Sequence, residues 1–283
     1  MQSKLLKDLL DNFAKRLQVI YDSREAENLS KWMWMHLCEA NNAASFSLMK
    51  HEEVSAVAVK KAEEWLTQLL EGKPLQHLIG EVTFADVQIT VNSDVLIPRP
   101  ETEELIYLMV QDLGKDFSGR ILDVGTGSGC IAIALKNAMP KAQVTGLDIS
   151  QNALKTASYN AERNALDVTF VKQDILEAFP ADIYDVIVSN PPYIPINEKA
   201  KMDNNVVQHE PHLALFTPEK EPLIFYKRIV SLAQNQSESL KGLFFELHED
   251  YARETLEYVL TEFEKAELVK DLQDKWRFLR ISA

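Results

Sequence analysis

One stretch limits the possible folds more than any other: Asp185-Val-Ile-Val-Ser-Asn-Pro-Pro-Tyr-Ile194. A short apolar run bounded by turn residues reads as a buried parallel strand, here from Tyr184 to Ser189. That strand cannot pass through Pro191 and Pro192, which lack the N–H and fix φ. The chain therefore leaves its sheet at Asn190. In open α/β sheets this position, beyond the carboxyl end of a strand, is where ligands bind.

The residue types at that exit point to a particular chemistry. Pro191 and Pro192 have no backbone donor, so the rim presents carbonyl acceptors, held rigidly. Asn190 adds a side-chain carbonyl, and Tyr193 adds a flat π-face with a polar tip. The set suits a planar NH2 group, with two acceptors for its two N–H bonds and an aromatic face to position its plane. An amide or aniline-like nitrogen is a poor nucleophile because its lone pair is delocalised. Accepting both N–H bonds steers it towards pyramidal geometry and stabilises the positive charge that grows during attack. The competing reading is a proline-stopped edge loop with an incidental tyrosine.

Length and charge narrow the field. At 283 residues, 46% hydrophobic and 26% charged, the chain suits a water-soluble protein of one large domain or, more naturally, two. No apolar run approaches the ~20 residues needed to span a bilayer, and Met-Gln-Ser-Lys-Leu-Leu-Lys-Asp lacks a signal-peptide core. Cys38 and Cys130 fit neither a disulfide framework nor a metal motif. A cytoplasmic protein with reduced thiols is expected. The net charge of −13 favours a protein or small-molecule substrate over nucleic acid, whose phosphates call for a basic face.

Apolar residues at helical spacing predict helices over 5–21, 23–37 and 52–70, with Ser23 as a cap for the second. Residues 1–73 thus read as a small helical bundle, with Trp32, Met33, Trp34 and Met35 assigned mainly to its core. Residues 74–100 read as a linker: turn residues through Gly80, then alternation over Glu81–Val91 for a β-hairpin. The remainder, 101–283, reads as the catalytic domain, opening with a helix over 101–113 whose first turn is acidic. Arg99, between Pro98 and Pro100, receives no role from sequence.

Strand Arg120–Val124, the turn Gly125-Thr-Gly-Ser-Gly129 and a helix from Cys130 make a nucleotide-type crossover. The next strand, Gln143–Asp148, ends in an acid about 20 residues after the glycines, the spacing of a ribose-binding carboxylate. Asp148 is read as accepting both ribose hydroxyls, or as capping the helix near Ser150. After a further helix, strand Val168–Lys172 leads to Asp174 and Ile175, which either face an adenine or are turn and core. Residues 195–222 show no periodicity and read as a lid or substrate loop. Its His209-Glu-Pro-His212 has a metal-like spacing but no third ligand set, so no metal is expected. Helix, strand, helix and two closing strands, near 266–270 and 276–281, imply one antiparallel member in the sheet.

These motifs together resemble the class I S-adenosylmethionine-dependent methyltransferases, a Rossmann-like α/β fold with a mostly parallel sheet, here with a small N-terminal helical bundle. Pro74-Leu-Gln-His-Leu-Ile-Gly80, Leu96-Ile-Pro-Arg-Pro-Glu-Thr-Glu103, Asp123-Val-Gly-Thr-Gly-Ser-Gly129, Asn190-Pro-Pro-Tyr-Ile194 and Glu210-Pro-His-Leu-Ala-Leu215 appear in order. In this the chain is similar to the HemK/PrmC family, which methylates the glutamine of the Gly-Gly-Gln motif in peptide chain release factors. The resemblance implies S-adenosylmethionine held by Gly125, Thr126, Gly127, Ser128, Gly129, Asp148, Asp174, Ile175 and Asn190. It implies glutamine bound by Asn190, Pro191, Pro192 and Tyr193, with Asn190, Pro191 and Tyr193 catalytic. It further implies that residues 1–73 recognise the release factor. Two departures stand out: Ile175 replaces a large aromatic, and Asp274-Lys-Trp-Arg-Phe278 replaces the family's Gly-Arg-Asp-Arg.

The alternative enzyme is a methyltransferase of adenine or guanine exocyclic amines, which offer the same NH2 geometry. It would need a base-flipping surface and a basic groove, for which no lysine- and arginine-rich stretch exists. A third reading, an S-adenosylmethionine-binding adaptor, leaves Asn-Pro-Pro-Tyr without a purpose.

Overall fold

A computed structural model describes residues 5–201 and 204–282. The described residues fall into two compact units, Met1–Gly80 with Asn204–His209, and Glu81–Asp203 with Glu210–Ala283.

The first unit is helical: α1 (Leu6–Leu17), α2 (Ser23–Leu37), α3 (Ala43–Leu48), α4 (Ala56–Leu70) and α5 (Leu75–Ile79). Helix α2 is capped by Asp22 rather than Ser23, the Asp22 carboxylate accepting from Glu25 N at 2.9 Å. A carboxylate at that place also complements the helix dipole. The amphipathic stripes meet in one core of Leu6, Phe13, Leu17, Met33, Trp34, Val59, Trp65, Leu66 and Leu69. Trp34 is fully buried edge-on against Phe13, ring centroids 5.1 Å apart, whereas Trp32 is half exposed. Burying each such ring contributes about 1.5–3 kcal/mol. The Trp-Met cluster is therefore shared between core and surface, as its helical phase requires.

The second unit opens with β1 (Glu81–Phe84) and β2 (Val87–Thr90), an antiparallel hairpin turning on Ala85 and Asp86, both at positive φ. Leu75–Ile79 is helical and groups with the first unit, and the hairpin groups with the second. Next come α6 (Pro100–Leu113), β3 (Arg120–Val124), α7 (Cys130–Ala138), β4 (Gln143–Asp148), α8 (Gln151–Arg163), β5 (Thr169–Lys172) and β6 (Val186–Ser189). The region read as patternless holds β7 (Ile194–Pro195), a 3-10 turn, α9 (Asn204–His209), which groups with the first unit, α10 (His212–Leu215) and β8 (Phe216–Thr217), which pairs with β7. Elements so short leave no periodic trace in sequence. The unit closes with α11 (Ile224–Asn235), β9 (Gly242–Glu246), α12 (Ala252–Glu262), β10 (Glu267–Lys270) and β11 (Trp276–Ser282).

Among the described residues the main sheet has seven strands in the order β10-β11-β9-β6-β3-β4-β5. Strands β9, β6, β3, β4 and β5 run parallel, and β11 is antiparallel to both its neighbours. This is the mostly parallel sheet with one antiparallel member expected above. Alternate residues feed two cores: Ile121, Val186, Val188 and Phe244 on one face, Leu122, Ile187, Leu243 and Phe245 on the other. Burial on both faces explains why β6 and β9 read as unbroken apolar runs. No helix among the described residues is long and apolar enough to cross a membrane.

Candidate active site

Sheet register builds the site. Val124 pairs with Leu147 and with Ser189, and Ser189 pairs with Phe245. The residues one step further, Gly125, Asp148, Asn190 and Glu246, therefore emerge side by side at the carboxyl edge. Strand order reverses between β3 and β6, the crevice where doubly wound sheets bind ligands. A cavity of about 280 Å³ opens there, with Gly125, Gly127, Asp148, Asp174, Ile175, Asn190, Pro191 and Pro192 in its wall.

Gly125 and Gly127 adopt φ of +75° and +54°, a conformation that disfavours any side chain. A Cβ on either would meet nothing closer than 4.0 Å and would stand in open space, so the pair forms a cradle for a ligand. Asp148 accepts from Gly127 N at 2.9 Å with one carboxylate oxygen and from Ser150 N at 2.8 Å with the other. The cap of α8 is Ser150, whose Oγ accepts from Ala153 N at 3.2 Å, so Asp148 does not cap that helix, and each of its oxygens keeps a further lone pair for a hydroxyl. Burial raises the Asp148 pKa, and these backbone donors oppose the rise. Asp174 folds back to accept from Leu176 N, and Ile175 is buried with its carbonyl held by Arg228 Nε at 2.7 Å. A glycine cradle, a carboxylate with acceptor capacity to spare and an apolar cover fit S-adenosylmethionine.

Four expected site residues do not line the cavity. Thr126 turns inward, its hydroxyl donating to Asp123 at 2.6 Å, and Ser128 is buried. Gly129, at φ +80°, lets α7 close on α8, where a Cβ would fall 3.0 Å from the Ala157 Cβ. For these the structure shows support of the turn, since a tight loop can aim only some of its residues outward. Tyr193 sits behind the rim, its ring 5.5 Å from that of His248, and burial pushes its hydroxyl up to about 12.

Asn190 Nδ2 donates to Thr102 Oγ1 at 3.3 Å, and Thr102 Oγ1 donates to Glu246 Oε2 at 2.6 Å. Thr102 and Glu246 are both buried, and sequence reading assigned neither a role. The available signal was an acid ending an otherwise apolar strand, Gly242-Leu-Phe-Phe-Glu246. Burial pushes the Glu246 carboxyl up to about 7, despite Thr102 and the nearby Arg277 guanidinium favouring its charge.

Arg99 gains a partner as well. Glu210, of the motif His209-Glu-Pro-His212, is buried and accepts from Arg99 Nη2 at 2.6 Å and from Ile97 N at 3.2 Å. This clamp joins two segments of the cavity wall, Asp94–Leu96 and Pro211–Ala214. Among the described residues no group of three potential metal ligands gathers.

Comparison with known proteins agrees with this geometry. Residues 8–80 match the PrmC N-terminal domain and residues 105–211 the methyltransferase small domain. A release factor glutamine methyltransferase of Flavobacterium psychrophilum is 35% identical over 283 residues, 98% of this chain and 99% of the relative. That of Bacteroides thetaiotaomicron is 36% identical over 266 residues, 93% of this chain and 95% of the relative. Among solved structures, the hMettl16 catalytic domain in complex with MAT2A 3'UTR hairpin 6 has a TM-score of 0.56 and 20% identity, over 69% of this chain and 75% of that one. At such identity the likeness concerns the fold.

Proposed function

The chain belongs to the release factor glutamine methyltransferase family, and from that membership we propose that it methylates the side-chain amide nitrogen of the Gly-Gly-Gln glutamine in class 1 peptide chain release factors. The observation that carries this reading is the sheet register, which joins the glycine cradle, Asp148 and Asn190 around one cavity.

Gly125 and Gly127 let the backbone approach the ligand, Asp148 accepts its ribose hydroxyls, and Asp174 and Ile175 bound its adenine. When bound there, S-adenosylmethionine supplies an electrophilic sulfonium methyl, and S-adenosylhomocysteine remains after transfer. Asn190 Oδ1 and the Pro191 carbonyl accept the two N–H bonds of the glutamine, while Pro192 bounds its plane and Tyr193 backs the rim from behind. Both acceptors gain strength as positive charge grows on the nitrogen, so they favour the transition state over the ground state. The surplus proton leaves to water. Positioning and charge stabilisation carry the rate, with no covalent enzyme intermediate. The helical unit serves to recognise the release factor, and a cytoplasmic enzyme suits that substrate.

The test is methyl incorporation from labelled S-adenosylmethionine into a purified release factor, beside a variant with Gln→Ala in its Gly-Gly-Gln motif and a duplex DNA. Label on the unmodified factor alone is expected. Label on the DNA would instead make this an exocyclic-amine methyltransferase.

A further inference from the structure

An asparagine can present acceptor or donor to a substrate, because its amide oxygen and nitrogen exchange places by rotating 180°. The two orientations fill the same space, so only hydrogen-bond partners distinguish them. Asn190 as acceptor therefore needs something to hold its nitrogen away from the glutamine.

The surroundings supply a one-way chain. Thr102 has a single hydroxyl hydrogen, and 2.6 Å from its Oγ1 lies Glu246 Oε2. An ionised carboxylate only accepts, so that hydrogen is committed to Glu246. Thr102 Oγ1 can then offer Asn190 only lone pairs, and Nδ2 takes them at 3.3 Å. With Nδ2 engaged, Oδ1 is the amide atom left for the cavity that Asn190 lines. We propose that Thr102 and Glu246 are positioning residues that set the orientation of the Asn190 amide, so that its oxygen faces the methyl acceptor. This rests on the glutamine-methylating reading above.

The surroundings hold Glu246 in its place. It ends β9, and its backbone carbonyl accepts from Tyr226 Oη of α11 at 3.0 Å. Its carboxylate is faced by Thr102 and Glu101 from α6, by Asn190 and Tyr193 from the segment after β6, and by Arg277 from β11. The Asn190 amide N–H also hydrogen-bonds it directly, so both Thr102 and Glu246 hold the Asn190 nitrogen away from the cavity. Tyr226 and Cys130 complete the titratable neighbours. Arg277 is itself committed to Asp271, at 3.2 Å, and to Leu247 O.

Protonation should reverse the chain. A neutral Glu246 can donate to Thr102, whose hydrogen is then free to turn to Asn190 Oδ1. The amide would flip and present N–H to N–H. Burial pushes the Glu246 carboxyl up to about 7, so the switch falls within an accessible range of pH.

The experiment measures kcat, KM for a release factor, and S-adenosylmethionine affinity by calorimetry for wild type, Thr102→Val, Thr102→Ser and Glu246→Gln. Thr102→Val should lower kcat by about 30-fold or more, a loss of the size expected when a transition-state acceptor is misaimed. Its S-adenosylmethionine affinity should stay within about twofold, since the cradle is untouched. Thr102→Ser, which keeps the hydroxyl, should restore kcat to within about threefold. Wild-type kcat should fall below about pH 7, and Glu246→Gln, which cannot ionise, should show a flat profile from about pH 6 to 8. In an Asn190→Ala background, Thr102→Val should cost less than about twofold more, because there is no amide left to orient. A kcat for Thr102→Val within threefold of wild type, or an undiminished penalty in the Asn190→Ala background, would overturn the inference alone. No transfer by wild type to the release factor would overturn the substrate reading and this inference with it.

Discussion

Asn160→Leu should be among the most damaging substitutions outside the cavity, although Asn160 sits mid-helix in a sequence with nothing to mark it. Its side chain is fully buried on α8 and makes three hydrogen bonds. Oδ1 accepts from Thr90 N at 2.8 Å, and Nδ2 donates to Thr90 O at 3.1 Å and to Ser128 O at 2.9 Å. The amide thus acts as a missing strand for the edge of β2 and ties it to the glycine-rich turn. Leucine keeps the branched outline of asparagine but is bulkier, so it opens no cavity: the loss is chiefly polar, with some overpacking added at a fully buried site. Three backbone groups would lose their partner, each costing about 1–3 kcal/mol where water cannot replace it. Since Thr90 is partly exposed, part of that cost is recovered by solvent, and a net destabilisation of about 3 kcal/mol is expected. Urea denaturation followed by circular dichroism measures it as a lower midpoint at unchanged slope. Calorimetry should show weakened S-adenosylmethionine binding, because Ser128 stands beside Gly127. Asn160→Asp keeps the bond from Thr90 N but sets a carboxylate against two carbonyls, so it should be worse than leucine near neutral pH. A loss below about 1 kcal/mol for Asn160→Leu, or Asp milder than Leu, would refute the reasoning.

Asn190→Ala should cut kcat by about 100-fold while S-adenosylmethionine affinity falls less, as steady-state kinetics and calorimetry on one preparation would show. Asp148→Ala removes the diol acceptor and should weaken that affinity by about 10- to 100-fold, at roughly 1.4 kcal/mol per tenfold step for hydrogen bonds to a charged group. The hairpin turn at Ala85 and Asp86 places two non-glycine residues at φ of +41° and +66°. Substituting Asn-Gly there should raise stability by about 0.5–1 kcal/mol in thermal denaturation, since that pair suits a turn with positive φ at both positions. The Glu246 carboxyl goes from its ordinary 4.5 up to about 7 on folding, so the native state holds this proton more tightly than the unfolded chain. Its contribution to stability is greatest below about pH 4.5 and is lost as pH rises through 7. The Asp123 carboxyl, also pushed up to about 7 by burial, acts in the same direction. Melting temperature should therefore fall less for Glu246→Gln than for wild type between about pH 5 and 8, while wild-type turnover moves the opposite way.

Legibility from sequence followed locality. The β6 strand and its proline stop, the glycine-rich turn, the acid at the end of β4 and each long helix of the N-terminal unit are written within about twenty residues, as periodicity and punctuation. Such signals survive because a strand or turn obeys the same steric rules wherever it sits. The parts that escaped reading join residues remote in the chain. Thr102 meets Glu246 across 144 positions, Arg99 meets Glu210 across 111, and Thr90 meets Asn160 across 70. No local preference marks these residues, since a threonine in a first helical turn or an acid ending a strand is ordinary by itself. Their meetings depend on sheet register: Ser189 against Phe245 brings Glu246 beside Asn190. The acceptor chemistry proposed here rests on Asn-Pro-Pro-Tyr, a local signal. Which atom of Asn190 faces the substrate is decided only once α6 and β9 are packed against it, because a hydrogen bond's direction belongs to its partners.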